Sequence, residues 1–378
     1  MVAENPLKRL SHFGQSVWLD YIRRQLLFSP EFQRLLDEDG LDGMTSNPTI
    51  FEKAIDGSND YDDQFGKLVR AGADVDAIYE GLTTEDIKTA ADRLRPIYEK
   101  SNGFTGYVSY EVLPALAHDT DKTISAARRY FKLIDRPNLM IKVPGTPEGL
   151  PAFEQLISEG HCINVTLMFS MKHYEAVAQA YVSGLEKRAK GGKPLDRIAS
   201  VASVFVSRVE TLADKRIDEA LKSTSHEGLA ALRGTAAVAN SKLIYQRFKE
   251  IFHGDQFKPL AAKGARVQRP LWASTGTKNS AYSDIKYVQE LIGPETVNTM
   301  PPATMDAYRD HGDPKATLES GIEQAREVVK RLKAVGIDLD EVGEELQKEG
   351  VDSFTKSFDD LMATIKSRRD KLAGSRNG

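Results

Sequence analysis

Eight short apolar segments of β type recur along the chain, and each is followed by a segment with the periodicity of an amphipathic helix. Uninterrupted apolar character, instead of strict alternation with polar residues, is typical of strands buried on both faces of a parallel sheet. Eight such units alternating with helices favour an α/β fold, a closed (β/α)₈ TIM barrel, over an open doubly wound sheet. The predicted strands are residues 16–22, 43–46, 106–112, 138–144, 162–169, 198–206, 270–274 and 296–300.

Two parts of the chain are not needed for the barrel. Residues 207–268 are predicted to form a helical insertion after the sixth strand, with polar turns at KSTSHEG and HGDQFKP. Residues from about 315 to 373 are predicted to form a helical C-terminal tail. Because the 16 prolines are dispersed and no repeat or low-complexity linker separates these parts, residues 1–378 are interpreted as a single domain.

Composition excludes several functional classes. A net charge of −4 provides no global basic field, so neither nucleic acid nor an anionic membrane is an expected partner. Cys162 is the only cysteine, which excludes an internal disulfide and a thiolate metal cluster. No apolar signal region or membrane-spanning segment is found in the sequence. We therefore predict a cytoplasmic protein, with both a monomer and a homodimer left open.

A lysine in the middle of the predicted fourth strand raises the first question about function. Lys142 lies among Met140, Ile141 and Val143, where an unpaired buried ammonium would cost several kcal/mol. One interpretation is a strand edge from which the amine reaches water along its flexible stem. The other interpretation is an amine held inside the barrel for its chemistry.

Further polar residues occur near the ends of the predicted strands, where barrels of this class have their active sites. Each has a structural explanation when taken alone: Asn47 before Pro48 could cap a helix, and Asn164 or Thr166 could satisfy a neighbouring backbone group. Together they would converge on one small volume with two carboxylates, one amine and several neutral hydrogen-bonding groups. The residues concerned are Asp20, Ser46, Asn47, Glu111, Lys142, Asn164, Thr166, Ser203 and Ser274.

Such a set suits Schiff-base chemistry. Desolvation lowers the pKa of an amine in an apolar wall, which leaves a neutral nucleophile able to attack a carbonyl. Two carboxylates can then move protons during imine formation and carbon–carbon cleavage. The iminium is itself the electron sink, so no metal or other cofactor is expected. None of the seven histidines lies in a predicted strand or forms an HExxH pair, so zinc hydrolysis and a Ser-His-Asp triad lack their ligands or base.

Sugar substrates of such an enzyme usually carry phosphate, which requires cations or backbone N–H groups nearby. Arg208, just after the sixth strand, and Lys278, just after the seventh, are the candidate cations. Ser274 and the residues after it could add hydroxyl and amide donors. Arg208 with Glu210 could also be an ordinary pair at the start of a helix.

Eight sequence blocks, in the same order, resemble transaldolases, in the longer bacterial form of that family. This resemblance covers about residues 14–310 and implies a metal-free (β/α)₈ barrel enzyme, a transferase of the pentose phosphate pathway. It implies reversible transfer of a dihydroxyacetone unit from sedoheptulose 7-phosphate to glyceraldehyde 3-phosphate, giving erythrose 4-phosphate and fructose 6-phosphate. The blocks are SVWLDYIRRQLL, DGMTSNPTIFEKAI, GYVSYEVLP, NLMIKVPGTPEGLPAF, INVTLMFS, VASVFVSRVE, WASTGTKN and NTMPPATMDAY.

The resemblance also implies a role for each matching residue. Lys142 stands where the family forms its Schiff base with C2 of the ketose. Asp20 matches the acid/base that removes the C4 hydroxyl proton as the C3–C4 bond breaks, and Glu111 matches a carboxylate that works through a water held by Thr166. The substrate pocket of the family is matched by Asn47, Asn164, Ser203, Phe205 and Arg208.

The sequence departs from the family at two positions. Many relatives have a second arginine after the seventh strand, whereas this chain has Lys278, a point charge instead of a bidentate fork. Tyr110 is bulkier than the residue expected before Glu111, and strand alternation directs it toward the helical layer. Two alternatives stay open: an aldolase that releases free dihydroxyacetone, as a fructose 6-phosphate aldolase does, and a catalytically silent barrel that binds sugar phosphates.

Overall fold

Eight parallel strands form a closed barrel in chain order, as the alternation of apolar and helical segments predicts. The computed structural model describes residues 4–223 and 228–374. Pairing of β1 with β8 closes the barrel, and all neighbouring strands are parallel, so every carboxyl end lies at the same rim. The strands are β1 (Gln15–Asp20), β2 (Leu41–Thr45), β3 (Tyr107–Glu111), β4 (Leu139–Pro144), β5 (Ile163–Met168), β6 (Ser200–Phe205), β7 (Gln268–Ala273) and β8 (Thr296–Met300).

Helices connect the strands and cover the outside of the barrel. Among the described residues there are also three short 3₁₀ helices, at Leu10–Phe13, Pro114–Leu116 and Ala230–Leu232. The α-helices of the described residues are α1 (Pro6–Arg9), α2 (Arg24–Phe28), α3 (Pro30–Asp37), α4 (Pro48–Asp56), α5 (Asp62–Arg70), α6 (Val75–Lys100), α7 (Thr120–Ile134), α8 (Gly149–Glu159), α9 (Met171–Lys190), α10 (Ser207–Ser223), α11 (Ala236–Phe252), α12 (Lys258–Ala261), α13 (Lys286–Glu290), α14 (Pro302–His311), α15 (Ile322–Ala334) and α16 (Leu339–Gly374).

The seventh strand begins two residues earlier than predicted, at Gln268 instead of Pro270. Gln268 and Arg269 are polar, and both are nevertheless buried because the strands around them supply hydrogen-bond partners. The Gln268 side chain donates to Ser200 Oγ at 2.9 Å, and the Arg269 guanidinium donates to Ser16 Oγ at 2.7 Å. Buried polar groups paired in this way do not interrupt a strand, although they interrupt its apolar pattern in the sequence.

Tyr110 packs in the helical layer, as strand alternation predicts. Its hydroxyl lies 2.9 Å from Thr83 Oγ1 on α6, and its ring makes edge contacts with Phe51 on α4 and Tyr130 on α7. The neighbouring Glu111 therefore points to the interior of the barrel, since successive side chains of a strand alternate between its faces.

The predicted insertion and tail are both helical. Helices α10, α11 and α12 occupy the connection between β6 and β7, and the KSTSHEG turn falls partly on residues 224–227, outside the described ones. The tail consists of α15, which packs against α11, and the long α16, which contacts α4, α6, α10 and the end of β5. These contacts support our proposal that the barrel, insertion and tail form one domain.

Candidate active site

A cavity of about 130 Å³ opens at the rim formed by the carboxyl ends of the strands. Most of the polar residues predicted for the site line it, and they come from six different strands or the segments that follow them. The lining residues are Asp20, Thr45, Asn47, Lys142, Thr166, Ser203, Phe205, Arg208, Ala273, Ser274, Gly276, Lys278, Thr299, Pro301 and Phe354.

Lys142 points to the interior of the barrel and is only 5% exposed. Its Nζ donates to Glu111 Oε2 at 3.0 Å and to the backbone carbonyl of Ser46 at 3.0 Å. Strand register explains the first contact, because Glu111 on β3 lies directly beside Lys142 on β4. The amine is therefore buried and paired, and it does not reach bulk water from a strand edge.

Burial raises the pKa of both carboxyl groups of the site. For Glu111 the largest cause is desolvation, which the nearby positive charge of Lys142 opposes and the negative charge of Asp20 reinforces. The pKa of Asp20 is likewise raised by desolvation, while a hydrogen bond from Thr45 and the charges of Lys142 and Lys278 oppose the increase. The two acids and the amine thus form one electrostatically coupled group, which can exchange protons over short distances.

One threonine hydroxyl holds the carboxylate of Asp20, and a second threonine hydroxyl contacts the first. Thr45 Oγ1 donates to Asp20 Oδ1 at 2.7 Å and lies 2.7 Å from Thr299 Oγ1. Asp20 and Thr45 are register partners at the ends of β1 and β2, so the pairing of the strands itself brings them together. A carboxylate fixed in this way keeps one orientation toward the cavity.

Thr166 has an unusual position for a buried hydroxyl. It is the inward-facing residue near the end of β5, and its Oγ1 has no hydrogen-bond partner among the described residues. A buried polar group normally has a partner, and a water molecule in the adjoining cavity would supply one.

Besides Glu111, two of the predicted residues interact with the cavity only through neighbours. Asn164 Oδ1 accepts from Ser203 Oγ at 2.7 Å, and its amide donates to Ser109 Oγ at 3.1 Å. The hydroxyl of Ser46 donates to the carbonyl of Ser109, so Ser46 faces Lys142 with its backbone oxygen instead of its side chain. Both residues lie beside the site without lining the cavity.

Asn47 caps a helix and also lines the cavity. Its Oδ1 accepts from the backbone N–H of Ile50 at 2.9 Å, which caps α4 immediately after β2. The same residue lines the cavity, so the helix cap fixes the orientation of a side chain in the site.

The outer part of the cavity is cationic. Arg208, in the first turn of α10, is largely buried, and desolvation lowers the pKa of its guanidinium while the charge of Glu349 opposes the decrease. Arg208 and Lys278 line the cavity together with Ser274, whose hydroxyl lies 2.8 Å from Ser207 Oγ. This arrangement can hold an anion beside the buried amine.

Left-handed backbone conformations occur at two non-glycine residues of the same rim. Leu167 has a φ of 61° at the end of β5, where the register with β6 shifts, and Ser274 has a φ of 55° just after β7. Such conformations cost about 1–3 kcal/mol each and persist where the surrounding structure imposes them. Leu167 follows Thr166 directly, so the irregularity of β5 lies beside a residue that lines the cavity.

Sequence reasoning missed several residues of the cavity. Thr45 and Thr299 are polar residues near strand ends, so the rule that selected the other residues would have found them. Phe354 belongs to α16 in the tail, for which no catalytic residue was predicted, and no local sequence signal marks it.

The described part of the chain contains no cluster of three or more His, Cys, Asp or Glu side chains suited to a metal ion, and no helix long and apolar enough to span a membrane.

Substitution of Thr45 should shift the acid limb of the pH profile of kcat/KM to higher pH. Thr45→Val removes the hydroxyl that stabilises the ionised form of Asp20, so the pKa of Asp20 is expected to rise further above its ordinary value. If Asp20 works as a base, kcat/KM will then fall at a higher pH than in the unmodified enzyme. Measured pH profiles of kcat/KM for both proteins test this expectation, and coincident acid limbs would contradict it.

A buried lysine beside acidic side chains at the carboxyl rim of a (β/α)₈ barrel defines a protein of the Schiff-base aldolase type. A sequence model described as transaldolase/fructose-6-phosphate aldolase matches residues 17–365. The chain belongs to this transaldolase/fructose-6-phosphate aldolase family.

Curated relatives match almost the full length of the chain. A transaldolase of Trichodesmium erythraeum is 48% identical over 374 residues, covering 97% of this chain and 98% of its own. A transaldolase of Saccharopolyspora erythraea is 48% identical over 372 residues, covering 98% and 100% respectively. A transaldolase of Mycobacterium marinum is 48% identical over 376 residues, covering 99% and 100%. The similarity therefore includes the helical tail as well as the barrel.

Proposed function

We propose that this chain is a transaldolase, a transferase that reversibly moves a dihydroxyacetone unit from sedoheptulose 7-phosphate to glyceraldehyde 3-phosphate. The products are erythrose 4-phosphate and fructose 6-phosphate. The observation that carries the proposal is the buried Nζ of Lys142, which lines the cavity and lies 3.0 Å from Glu111. Relatives named transaldolase, at 48% identity over nearly the whole chain, support the same activity.

In the proposed first stage, Lys142 in its neutral form attacks C2 of the ketose. The nitrogen–carbon bond forms as the carbonyl π electrons move to oxygen, and transfer of one proton from the nitrogen to that oxygen gives a neutral carbinolamine. A second proton, delivered to the hydroxyl, lets it leave as water and leaves a protonated imine. The carboxylate of Glu111 is hydrogen-bonded to this nitrogen, so it is suited to take and return the protons of these steps.

In the proposed second stage, Asp20 removes the proton from the C4 hydroxyl. The C4 oxygen forms a carbonyl, the C3–C4 bond breaks, and its electron pair moves into the iminium to give an enamine on Lys142. The aldose product leaves and an acceptor aldehyde enters, after which the same steps run in reverse. The raised pKa of Asp20 suits a group that must both accept and return a proton.

The remaining predicted residues are proposed to hold water and substrate. The unpartnered hydroxyl of Thr166 is suited to bind the water that enters and leaves during carbinolamine breakdown. Ser203 and Phe205 line the same cavity, where a hydroxyl donor and an aromatic wall can orient the dihydroxyacetone unit. The other proposed substrate-binding residues are Ser46, Asn47, Asn164, Arg208, Ser274 and Lys278.

Arg208 is proposed to bind the substrate phosphate. Arg208→Gln is expected to lower kcat/KM for fructose 6-phosphate by about 10- to 100-fold, because a hydrogen bond between charged groups is lost. The value for unphosphorylated fructose should hardly change. Lys278→Gln is expected to have a smaller effect, since a single point charge orients phosphate less firmly than a guanidinium. Equal losses for both sugars would contradict a phosphate-binding role of Arg208.

The alternative of an aldolase remains, because the matching family includes fructose-6-phosphate aldolases by name. The test compares product formation from fructose 6-phosphate with and without erythrose 4-phosphate as acceptor. A transaldolase should form sedoheptulose 7-phosphate with the acceptor and release little free dihydroxyacetone without it. Equally fast release of dihydroxyacetone without acceptor would support the aldolase, and a lack of both reactions would support a silent binding barrel.

We also propose a cytoplasmic location, which suits the free thiol of Cys162.

A further inference from the structure

An aromatic side chain of the C-terminal tail lies over the buried amine. Phe354 on α16 is 6% exposed, although its chain neighbours Asp352 and Ser353 are exposed. Its ring centroid is 6.0 Å from Lys142 Nζ and 5.8 Å from Arg208 Cζ. Phe354 is therefore adjacent to both the candidate nucleophile and the candidate phosphate cation, in the cavity that the carbon chain of a bound sugar phosphate would occupy.

The position of Phe354 is fixed by contacts on both sides of it along α16. Gln347, which is buried, donates from its side-chain amide to the carbonyls of Gly145 and Leu167, both at 3.0 Å. These carbonyls belong to the ends of β4 and β5, the strands that carry Lys142 and Thr166. Ser357 Oγ lies 2.8 Å from Thr49 Oγ1 at the start of α4. The helix thus spans the rim from β5 to α4, with Phe354 over the cavity.

We propose that Phe354 is a specificity-determining residue that favours transfer over release, an inference that rests on the proposed transaldolase function. After carbon–carbon cleavage, the enamine on Lys142 has two fates. Its nucleophilic carbon attacks an acceptor aldehyde, or it takes a proton, and the resulting iminium is hydrolysed. The second route consumes one water per enamine and returns free dihydroxyacetone and the lysine amine.

A phenyl ring over the amine opposes the second route for a steric reason. It occupies the open side of the cavity with an apolar surface that neither donates a proton nor binds water. The ring face also attracts the cationic iminium, which would keep the ring against the intermediate. An aldehyde acceptor, held by its phosphate at Arg208, can still enter beside the ring.

The test measures how much of the enamine on Lys142 reacts with the acceptor aldehyde and how much is protonated and hydrolysed. With fructose 6-phosphate as donor and erythrose 4-phosphate as acceptor, the ratio of free dihydroxyacetone to sedoheptulose 7-phosphate is determined for the intact enzyme and variants. Phe354→Ala should raise this ratio about tenfold, because water gains access to the intermediate. Phe354→Leu and Phe354→Val should give increases that grow as the side chain shrinks, and this series keeps the test valid if the alanine variant does not fold.

Phe358 provides the matched control on the same helix. It lies one turn further along, makes an edge contact with Tyr79, and does not line the cavity. Phe358→Ala should leave the ratio unchanged, whatever its effect on stability. An unchanged ratio across the Phe354 series, or an equal increase in Phe358→Ala, would overturn the inference while leaving the transaldolase function intact. Absence of any transfer by the unmodified enzyme would instead refute the proposed function and the inference with it.

Discussion

Lys142→Ala is expected to reduce transfer of the dihydroxyacetone unit by at least about 10³-fold, because the proposed covalent intermediate forms on the amine that this substitution removes. Borohydride added together with fructose 6-phosphate should reduce the imine and leave a stable adduct on Lys142 of the unmodified enzyme. Mass spectrometry of peptides should find that adduct at residue 142 and at no other lysine. The alanine variant should form none.

Lys278→Ala is the matched control for this experiment, since Lys278 is a second lysine that lines the same cavity. It should still form the adduct on Lys142, even if its affinity for the phosphate is lower. An adduct in the Lys142→Ala variant, or none in the unmodified enzyme, would contradict the Schiff-base mechanism.

The folded state should tolerate Lys142→Ala despite the loss of a buried ion pair. Removing the amine leaves the carboxylate of Glu111 without its Nζ partner, which normally destabilises a protein strongly. The pKa of Glu111 is already raised by burial, however, and it rises further once the positive charge is gone, so the acid can become neutral. Circular dichroism and thermal unfolding should therefore detect a folded, less stable protein.

Asp20→Asn is expected to reduce the rate of transfer by about 10²- to 10⁴-fold, the range for removal of a general acid/base group. Asparagine keeps the size of the side chain and can still accept the hydrogen bond from Thr45, so the geometry of the site should be preserved. The variant cannot take the proton from the C4 hydroxyl, and carbon–carbon cleavage should therefore stop after imine formation.

Borohydride trapping separates this role from that of the lysine. Asp20→Asn should still give the adduct on Lys142, because the imine forms before cleavage, and the adduct should retain the whole donor sugar. Loss of the adduct would mean that Asp20 acts earlier than proposed. Normal transfer by the variant would exclude Asp20 as the acid/base group.

Coupling among Lys142, Glu111 and Asp20 explains why the fold can keep charged groups in its interior. Each group would be costly to bury alone, but the register of β3 and β4 pairs Glu111 with Lys142 at 3.0 Å. Thr45 supplies a hydrogen bond to Asp20 in the same way, from the neighbouring strand β2. Strand pairing therefore forms the barrel and also brings together the ion pair and the hydrogen bond that stabilise the charged groups inside it.

Much of this arrangement is readable from the sequence because it depends on local patterns and on one general property of barrels. Apolar runs alternating with helical segments predict the strands, and parallel strands bring all their carboxyl ends to one rim. Most of the polar residues selected at those ends, including Asp20, Lys142 and Thr166, line one cavity in the structure. Glu111 also lies at this rim, in contact with Lys142.

The parts that sequence reasoning missed depend on packing between distant segments. Gln347 bonds to Gly145 although the two residues are 202 positions apart, and the same helix brings Phe354 over Lys142. Helical periodicity predicts that the tail is a helix but not which surface it covers, since many surfaces of a barrel could accept its apolar face. The start of β7 could not be predicted for a similar reason. Gln268 and Arg269 are polar, and they can lie in a buried strand because distant residues supply hydrogen-bond partners for them.

The barrel and most of the polar residues at its rim are predictable from the sequence, because they follow from short-range periodicity and from the alternation of side chains along each strand. The pairing of Glu111 with the amine, the contribution of the Ser46 carbonyl and the position of Phe354 in the cavity are visible only in the folded chain. These features depend on distances between side chains and on the docking of one helix, and such contacts are fixed by packing of the whole chain instead of by any local pattern.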